Sequence, residues 1–205
     1  MLIFFEKKLV FLATPKTGST AIEAALEPLA SLAVQRPPAL KHADLKSYHA
    51  FIAPWLKAAT GEDFTTVALM REPLDWLRSW YRFRLRDDNE DPVHEMEGVS
   101  FEQFADGYGT PTGANGANDS GQAATSHAEI GSQSGFLSHD GQRVDRIFRY
   151  EDIEAFTDFM EERLDCALIL PRLNVPPSVD VSLSPEAEQR LSAVMAQDLA
   201  LYQAL

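Results

Sequence analysis

Residues 14–20 combine side chains and backbone that suit the binding of an anion. They follow an apolar run over residues 9–13, which is typical of a strand buried on both faces, and they precede a helical pattern. A loop that opens a helix presents unpaired N–H groups and the positive end of the helix dipole. Gly18 lets the backbone approach the anion, Lys16 adds a charge, and Ser19 and Thr20 add hydroxyl donors. The stretch predicts a loop that binds phosphate or sulfate.

This loop differs from the common nucleoside triphosphate pattern. In GxxxxGK[ST], the lysine follows the second glycine and the final Ser or Thr holds Mg²⁺. Here Lys16 precedes Gly18, and no glycine lies four residues earlier. The alternative without chemistry is a strand-to-helix turn with an exposed lysine.

A second buried strand is predicted over residues 65–70, and Arg71 follows it directly. Ligands of open α/β sheets bind at the carboxyl ends of strands, so we expect Arg71 to face the same crevice as the anion loop. Ser79 lies off the apolar stripe of the next predicted helix and can point towards a ligand. The planar fork of an arginine suits a phosphate, and a serine hydroxyl supplies a further donor.

Together the two stretches resemble a known family. The run PKTGST is similar to the 5′-phosphosulfate loop of sulfotransferases that use 3′-phosphoadenosine 5′-phosphosulfate (PAPS). Residues 67–81, VALMREPLDWLRSWY, resemble the 3′-phosphate-binding signature of that family, although Glu72 stands where Asn is common. The runs QSGFL at 133–137 and RYED at 149–152 resemble further landmarks of bacterial and Golgi-type carbohydrate members. A surface ion pair of Arg71 with Glu72 or Asp75 is the alternative interpretation.

The resemblance implies an enzyme that transfers a sulfuryl group from PAPS to an acceptor and releases adenosine 3′,5′-bisphosphate (PAP), without a metal. Lys16 would neutralise charge on the leaving 5′-phosphate, and Arg71 and Ser79 would hold the 3′-phosphate. The implied donor-binding residues are Lys16, Thr17, Gly18, Ser19, Thr20, Arg71 and Ser79. A sugar hydroxyl is the expected acceptor, and a lipid or a small metabolite stays open.

His42 is the expected general base, because the acceptor has to lose a proton and an unperturbed imidazole titrates near neutral pH. It follows residues 37–40, which are predicted to be extended. A surface or capping histidine is the alternative interpretation. Other candidate bases are His49, His127, Asp44 and Glu23.

Two other functions remain possible from the residues. A P-loop kinase would need a lysine after the glycine and an Asp that holds magnesium at a strand end, where this chain has Arg71. A nucleotide-binding module without catalysis would need no base, and His42 would then have no chemical role.

Alternating strands and helices predict an α/β fold, a three-layer P-loop-type fold with a central parallel sheet flanked by helices. Residues 1–205 are expected to form a single domain. Residues 2–5 and 9–13 form either a hairpin or an edge segment beside the central strand. Residues 107–135 hold seven glycines, and we expect a mobile loop there, either a substrate lid or a disordered insertion.

The formal net charge of −13 argues against nucleic acid as a partner. Cys166 is the single cysteine, so an intramolecular disulfide is impossible. No apolar run approaches the length of a membrane span. We therefore expect a cytoplasmic protein without a membrane span.

Overall fold

The computed structural model describes residues 1–86, 96–108, 130–171 and 179–205. The chain divides into two compact units. The first unit comprises Met1–Glu72, Gln133–Asn174 and Leu201–Leu205, and the second comprises Pro73–Ser132 and Val175–Ala200. This grouping leaves the single domain over 1–205 a prediction.

The described residues form seven strands and ten α-helices. The strands are β1 Leu2–Phe4, β2 Leu9–Phe11, β3 Leu32–Ala33, β4 Thr65–Met70, β5 Ser138–His139, β6 Gln142–Arg143 and β7 Arg146–Arg149. The helices are α1 Ser19–Leu26, α2 Pro38–Lys41, α3 Leu45–Ser47, α4 Ala53–Thr60, α5 Pro73–Arg84, α6 Phe101–Gly107, α7 Gln133–Leu137, α8 Ile153–Leu164, α9 Pro185–Val194 and α10 Ala196–Gln203. A π-helical segment, Tyr48–Ile52, joins α3 to α4.

A mixed sheet of five strands in the order β3-β1-β2-β4-β7 lies in the first unit. β2, β4 and β7 run parallel, whereas β1 is antiparallel to both β2 and β3. The prediction of a parallel sheet is therefore wrong for β1 and β3. The reason is the short connection between β1 and β2, because residues 5–8 can close a hairpin but cannot make the crossover that parallel strands need.

β1, β2 and nearly all of β4 are buried on both faces, as their apolar runs predict, whereas the edge strands β3 and β7 are only partly buried. One face contributes Ile3, Val10, Leu12, Ala68 and Met70 to a core with residues of α3, α4 and α7. The other face contributes Leu2, Phe4, Leu9, Phe11, Val67 and Leu69 to a core with residues of α1 and α8. Helices therefore flank the sheet on both sides, and the α/β class is confirmed.

The second unit has its own helical core. Buried residues of α5, α6 and α9 pack together, among them Trp76, Leu77, Phe104 and Leu191. A capping box at Ser100 starts α6. The mobile loop predicted at 107–135 falls largely on residues 109–129, which lie outside the described residues.

No helix in the described ranges has both the length and the apolar character needed to cross a membrane.

Candidate anion-binding site

The predicted anion loop lies between β2 and α1 in the first unit. Lys16 and Gly18 both adopt left-handed backbone angles, with φ values of 63° and 73°. The hydroxyl of Thr17 is buried and donates to the carbonyl oxygen of Thr14 at 2.9 Å, which closes the turn. When residues with left-handed backbone angles alternate with other residues in a turn, their successive N–H groups point into one concavity that can bind an anion.

The N-terminus of α1 is open to a ligand. Gly18 is its N-cap, and no side chain caps the helix. The carbonyl of Gly18 accepts from the N–H groups of Ala21 and Ile22, while the N–H groups of Ser19 and Thr20 precede the first intrahelical bonds. These N–H groups and the helix dipole favour an anion at this position.

Thr14 carries an unpaired hydroxyl at the start of the loop. Its residue is fully buried, and its Oγ1 has no hydrogen-bond partner among the described residues. Leaving a buried hydroxyl unpaired costs about 1–3 kcal/mol. The loop therefore contains one buried polar group that the described residues leave without a hydrogen bond.

Arg71 follows β4, the parallel neighbour of β2, at the same edge of the sheet as the anion loop. Its Nη1 donates to the carbonyl oxygen of Lys16 at 3.3 Å. Gln133, which is fully buried, fixes the backbone of Arg71 from both sides. The Arg71 N–H donates to Gln133 Oε1 at 2.9 Å, and Gln133 Nε2 donates to the Arg71 carbonyl at 2.8 Å.

Tyr150 links Arg71 to the loop. The guanidinium of Arg71 lies over the ring of Tyr150, 4.7 Å from its centroid. The same ring packs so closely on Gly18 that a Cβ added there would lie 2.9 Å from Cε2 of Tyr150. The absence of a side chain at Gly18 therefore lets Tyr150 touch the loop.

The neighbours of Tyr150 anchor its segment. Arg149 donates to the carbonyl of Tyr202 at 3.1 Å and lies over the Tyr202 ring. Glu151 accepts from the N–H of Glu72 at 2.9 Å and from the hydroxyl of Tyr202 at 2.8 Å. Burial and the bond to Glu151 raise the pKa of Tyr202 to about 12. Asp152 caps α8. All four RYED residues thus have a structural contact.

His42 is half-buried and its Nδ1 lies 2.6 Å from the carbonyl oxygen of Ala13, the residue before the loop. A carbonyl oxygen only accepts, so Nδ1 carries the hydrogen and Nε2 of the neutral ring keeps its lone pair. Desolvation by burial lowers the pKa of His42 below 6.5, outweighing the bond to Ala13. The ring is therefore neutral at pH 7 and able to accept a proton.

His42 does not follow an extended segment, contrary to the prediction for residues 37–40. Those residues enter α2, which starts at Pro38 after the extended Pro37. Pro38 occupies the first helical position, where the fixed φ of proline suits a helix and its missing N–H costs nothing. His42 is the C-cap of α2.

Lys41 brings a second cation to the start of α1. Its Nζ donates to Thr20 Oγ1 at 3.3 Å and lies 2.9 Å from Oε2 of Glu23. Glu23 is buried, and its Oε1 accepts from the Met1 ammonium at 2.9 Å. Two cations therefore balance a carboxylate that would otherwise repel an anion at this helix N-terminus. Glu23 is committed to these ion pairs rather than placed as a base.

The remaining predicted residues lie elsewhere. Ser79 is on α5 in the second unit, and its predicted role beside Arg71 stays a prediction. Asp44 caps α3 by accepting from the Ser47 N–H at 2.8 Å. His49 lines a polar pocket with Thr66 and Asp145. This pocket lies at the start of β4, whereas Arg71 follows the end of that strand. His127 lies outside the described residues.

Sequence reasoning missed three contributors: Lys41, Gln133 and Tyr150. Lys41 directly precedes His42, and the other two residues belong to QSGFL and RYED. The residue types of Gln133 and Tyr150 carry no chemical signal, because the amide and the phenol ring act here by contact with Arg71. The available signal was the resemblance of these runs to family landmarks.

Comparison of the chain with protein-family models, with curated proteins and with solved structures finds no match to any of them.

Proposed function

We propose that this protein is a sulfotransferase that uses PAPS as its sulfuryl donor. The observation that carries the proposal is the hydrogen bond from Arg71 to the carbonyl of Lys16. It joins two stretches, 55 residues apart, that resemble the 5′- and 3′-phosphate motifs of one family. A donor with phosphates at both positions of its ribose fits this pairing better than a ligand with one phosphate.

The polar groups of the loop fit the donor. The N–H groups at the start of α1 and the charge of Lys16 would hold the 5′-phosphosulfate. Arg71 would hold the 3′-phosphate with its guanidinium.

When bound, PAPS supplies an activated sulfuryl group, whose transfer makes an S–O bond to the acceptor and breaks the S–O bond to the 5′-phosphate. His42 accepts the acceptor's hydroxyl proton at Nε2, while Ala13 keeps Nδ1 protonated and the ring oriented. Lys16 neutralises the charge that grows on the leaving phosphate. The chain therefore contributes positioning, charge stabilisation and one proton transfer.

A sugar hydroxyl is the acceptor we propose, on the resemblance to carbohydrate sulfotransferases. The strong negative charge of the chain favours an acceptor that is not itself highly anionic. The single cysteine fits a reducing compartment, so we place the activity in the cytoplasm.

The proposal is tested by calorimetric titration of the protein with PAP, with AMP and with ATP plus magnesium. We expect PAP to bind tightly without metal, and AMP and ATP to bind much more weakly. Arg71→Ala should abolish the preference for PAP over AMP. Arg146→Ala is the matched control, because it removes an exposed arginine elsewhere on the sheet. Arg146 lies on β7 in register with Val67, near the start of β4, whereas Arg71 follows the end of β4.

A preference for ATP with magnesium would favour the kinase and overturn the proposal. Indifference to the 3′-phosphate would also overturn it. Tight PAP binding without turnover of PAPS on any of a panel of sugar, lipid and phenolic acceptors, in wild type and in His42→Gln alike, would favour a binding module without catalysis.

A further inference from the structure

We infer that Tyr150 is a positioning residue that sets the discrimination between nucleotides with and without a 3′-phosphate. The inference rests on the proposed function of the same site. Tyr150 acts through Arg71, whose guanidinium lies 4.7 Å above its ring centroid. Its role is to hold that guanidinium over the anion loop before the nucleotide arrives.

Two contacts on the loop side support the guanidinium of Arg71, in addition to its other contacts in the described part of the chain. One is the carbonyl of Lys16, which accepts from Nη1 at 3.3 Å, a long hydrogen bond. The other is the face of the Tyr150 ring, which attracts the cation and restricts the plane of the guanidinium. An unsupported arginine side chain loses rotamer entropy when a ligand orders it. Tyr150 removes part of this loss before binding occurs.

Tyr150 is itself held firmly enough to perform this role. Its ring contacts Gly18 on the loop, and Glu151, the next residue, bonds to the backbone of Glu72 beside Arg71. These contacts fix the position of the Tyr150 ring beside Arg71.

The contact between the Tyr150 ring and the Arg71 guanidinium affects binding of the 3′-phosphate more than binding of the 5′-phosphate. Loss of the ring removes one support of the guanidinium that would hold the 3′-phosphate, while the N–H groups of α1 still bind the 5′-phosphate. The ratio of PAP affinity to AMP affinity is therefore the quantity that Tyr150 controls. A residue needed only for packing would lower both affinities by the same factor.

The experiment measures PAP and AMP dissociation constants by calorimetry for wild type, Tyr150→Phe, Tyr150→Leu and Tyr150→Met. Phe keeps the ring and should keep the wild-type ratio. Leu and Met keep much of the volume without a π face, and each should lower the ratio about tenfold, mainly by weakening PAP. Phe5→Leu is the matched control, because it removes a similar cation–π contact far from the anion loop. The Lys8 ammonium lies 4.8 Å from the centroid of the Phe5 ring, close to the start of β2, whereas the loop follows the end of that strand.

An unchanged ratio in the Leu and Met variants would overturn the inference, as would an equal loss of both affinities. Unfolding of both variants, seen by circular dichroism, would assign Tyr150 to packing and would also overturn it. These outcomes are distinct from failure of the proposed function, in which wild type itself shows no preference for PAP over AMP.

Discussion

Nδ1 of His42 lies 2.6 Å from the carbonyl oxygen of Ala13, which fixes the proton on that nitrogen and leaves Nε2 as the basic atom. The bond orients the imidazole relative to the residue at which the anion loop begins. Burial lowers the pKa of the ring, so that its neutral form dominates at physiological pH. These two effects together define the protonation state that a general base requires.

The first prediction concerns the pH dependence of sulfuryl transfer. The rate should rise as His42 loses its proton, and because its pKa is lowered, the midpoint should lie below 6.5. The measurement is the pH profile of kcat/KM for the acceptor. His42→Gln should reduce turnover at least about 100-fold while leaving PAP affinity unchanged. A midpoint at or above 6.5, or an active Gln variant, would contradict the assignment.

The second prediction concerns Gly18→Ala. Gly18 has a φ of 73°, and an added Cβ would meet the Tyr150 ring at 2.9 Å, so the variant should lose stability through backbone strain and through the clash. Gly61→Ala is the matched control, because Gly61 has a φ of 77° with nothing within 4 Å of the added atom. Strain alone should cost about 1 kcal/mol, measured by urea denaturation. Gly18→Ala should cost more, and equal losses would show that Tyr150 does not touch the loop.

The sequence predicts an element well when the pattern that defines the element lies within its own residues. β4 has the predicted bounds, since a continuous run of β-branched and apolar residues marks it. α1 ends at Leu26, and the chain continues through Pro28 as a short 3₁₀ helix, Glu27–Leu29. The antiparallel pair of β1 and β2 is one of the two arrangements predicted for residues 2–5 and 9–13. The alternation of strands with helices predicts a parallel sheet, but no helix separates β1 from β2. Strand direction depends on the connection, and the four residues between β1 and β2 decide it.

The sequence predicts those residues of the site whose side chains have an evident chemical role. Lys16, Arg71 and His42 stood out by type and position. The bonds of Gln133 to Arg71 span 62 residues, and no local pattern indicates them. Contacts of this kind follow from the pairing of β4 with β7 and from the packing of α7, which the residues alone do not specify.

The third prediction concerns the buried ion pair at α1. Lys41→Met removes one of the two cations that contact Glu23, whose side chain is 3% exposed, and should cost about 1–3 kcal/mol in the free energy of unfolding. The Met1 ammonium still contacts Glu23, which keeps the loss below that of a fully unpaired buried charge. The measurement is urea denaturation of the single variant.

Glu23→Gln in the Lys41→Met background provides the control for this prediction. Neutralising the stranded carboxylate should recover part of the loss, with a coupling free energy of roughly 0.5–3 kcal/mol in the double-mutant cycle. PAP affinity should fall in Lys41→Met and recover in part in the double variant, since the Glu23 carboxylate, which has lost one of its two cations, repels the phosphate. Additive effects on stability would mean that the two residues do not interact.

The fourth prediction concerns Gln133, which satisfies the N–H and the carbonyl of Arg71 where β4 ends. Gln133→Leu fills a similar volume but leaves both backbone groups unpaired, and should cost roughly 2–4 kcal/mol in urea denaturation. Gln142→Leu is the control, because Gln142 is exposed on β6 and its replacement should change stability by less than about 0.5 kcal/mol. PAP binding should weaken with Gln133→Leu, since the backbone that aims the guanidinium is released. Similar small losses in both variants would show that the amide clamp neither stabilises the strand end nor positions Arg71.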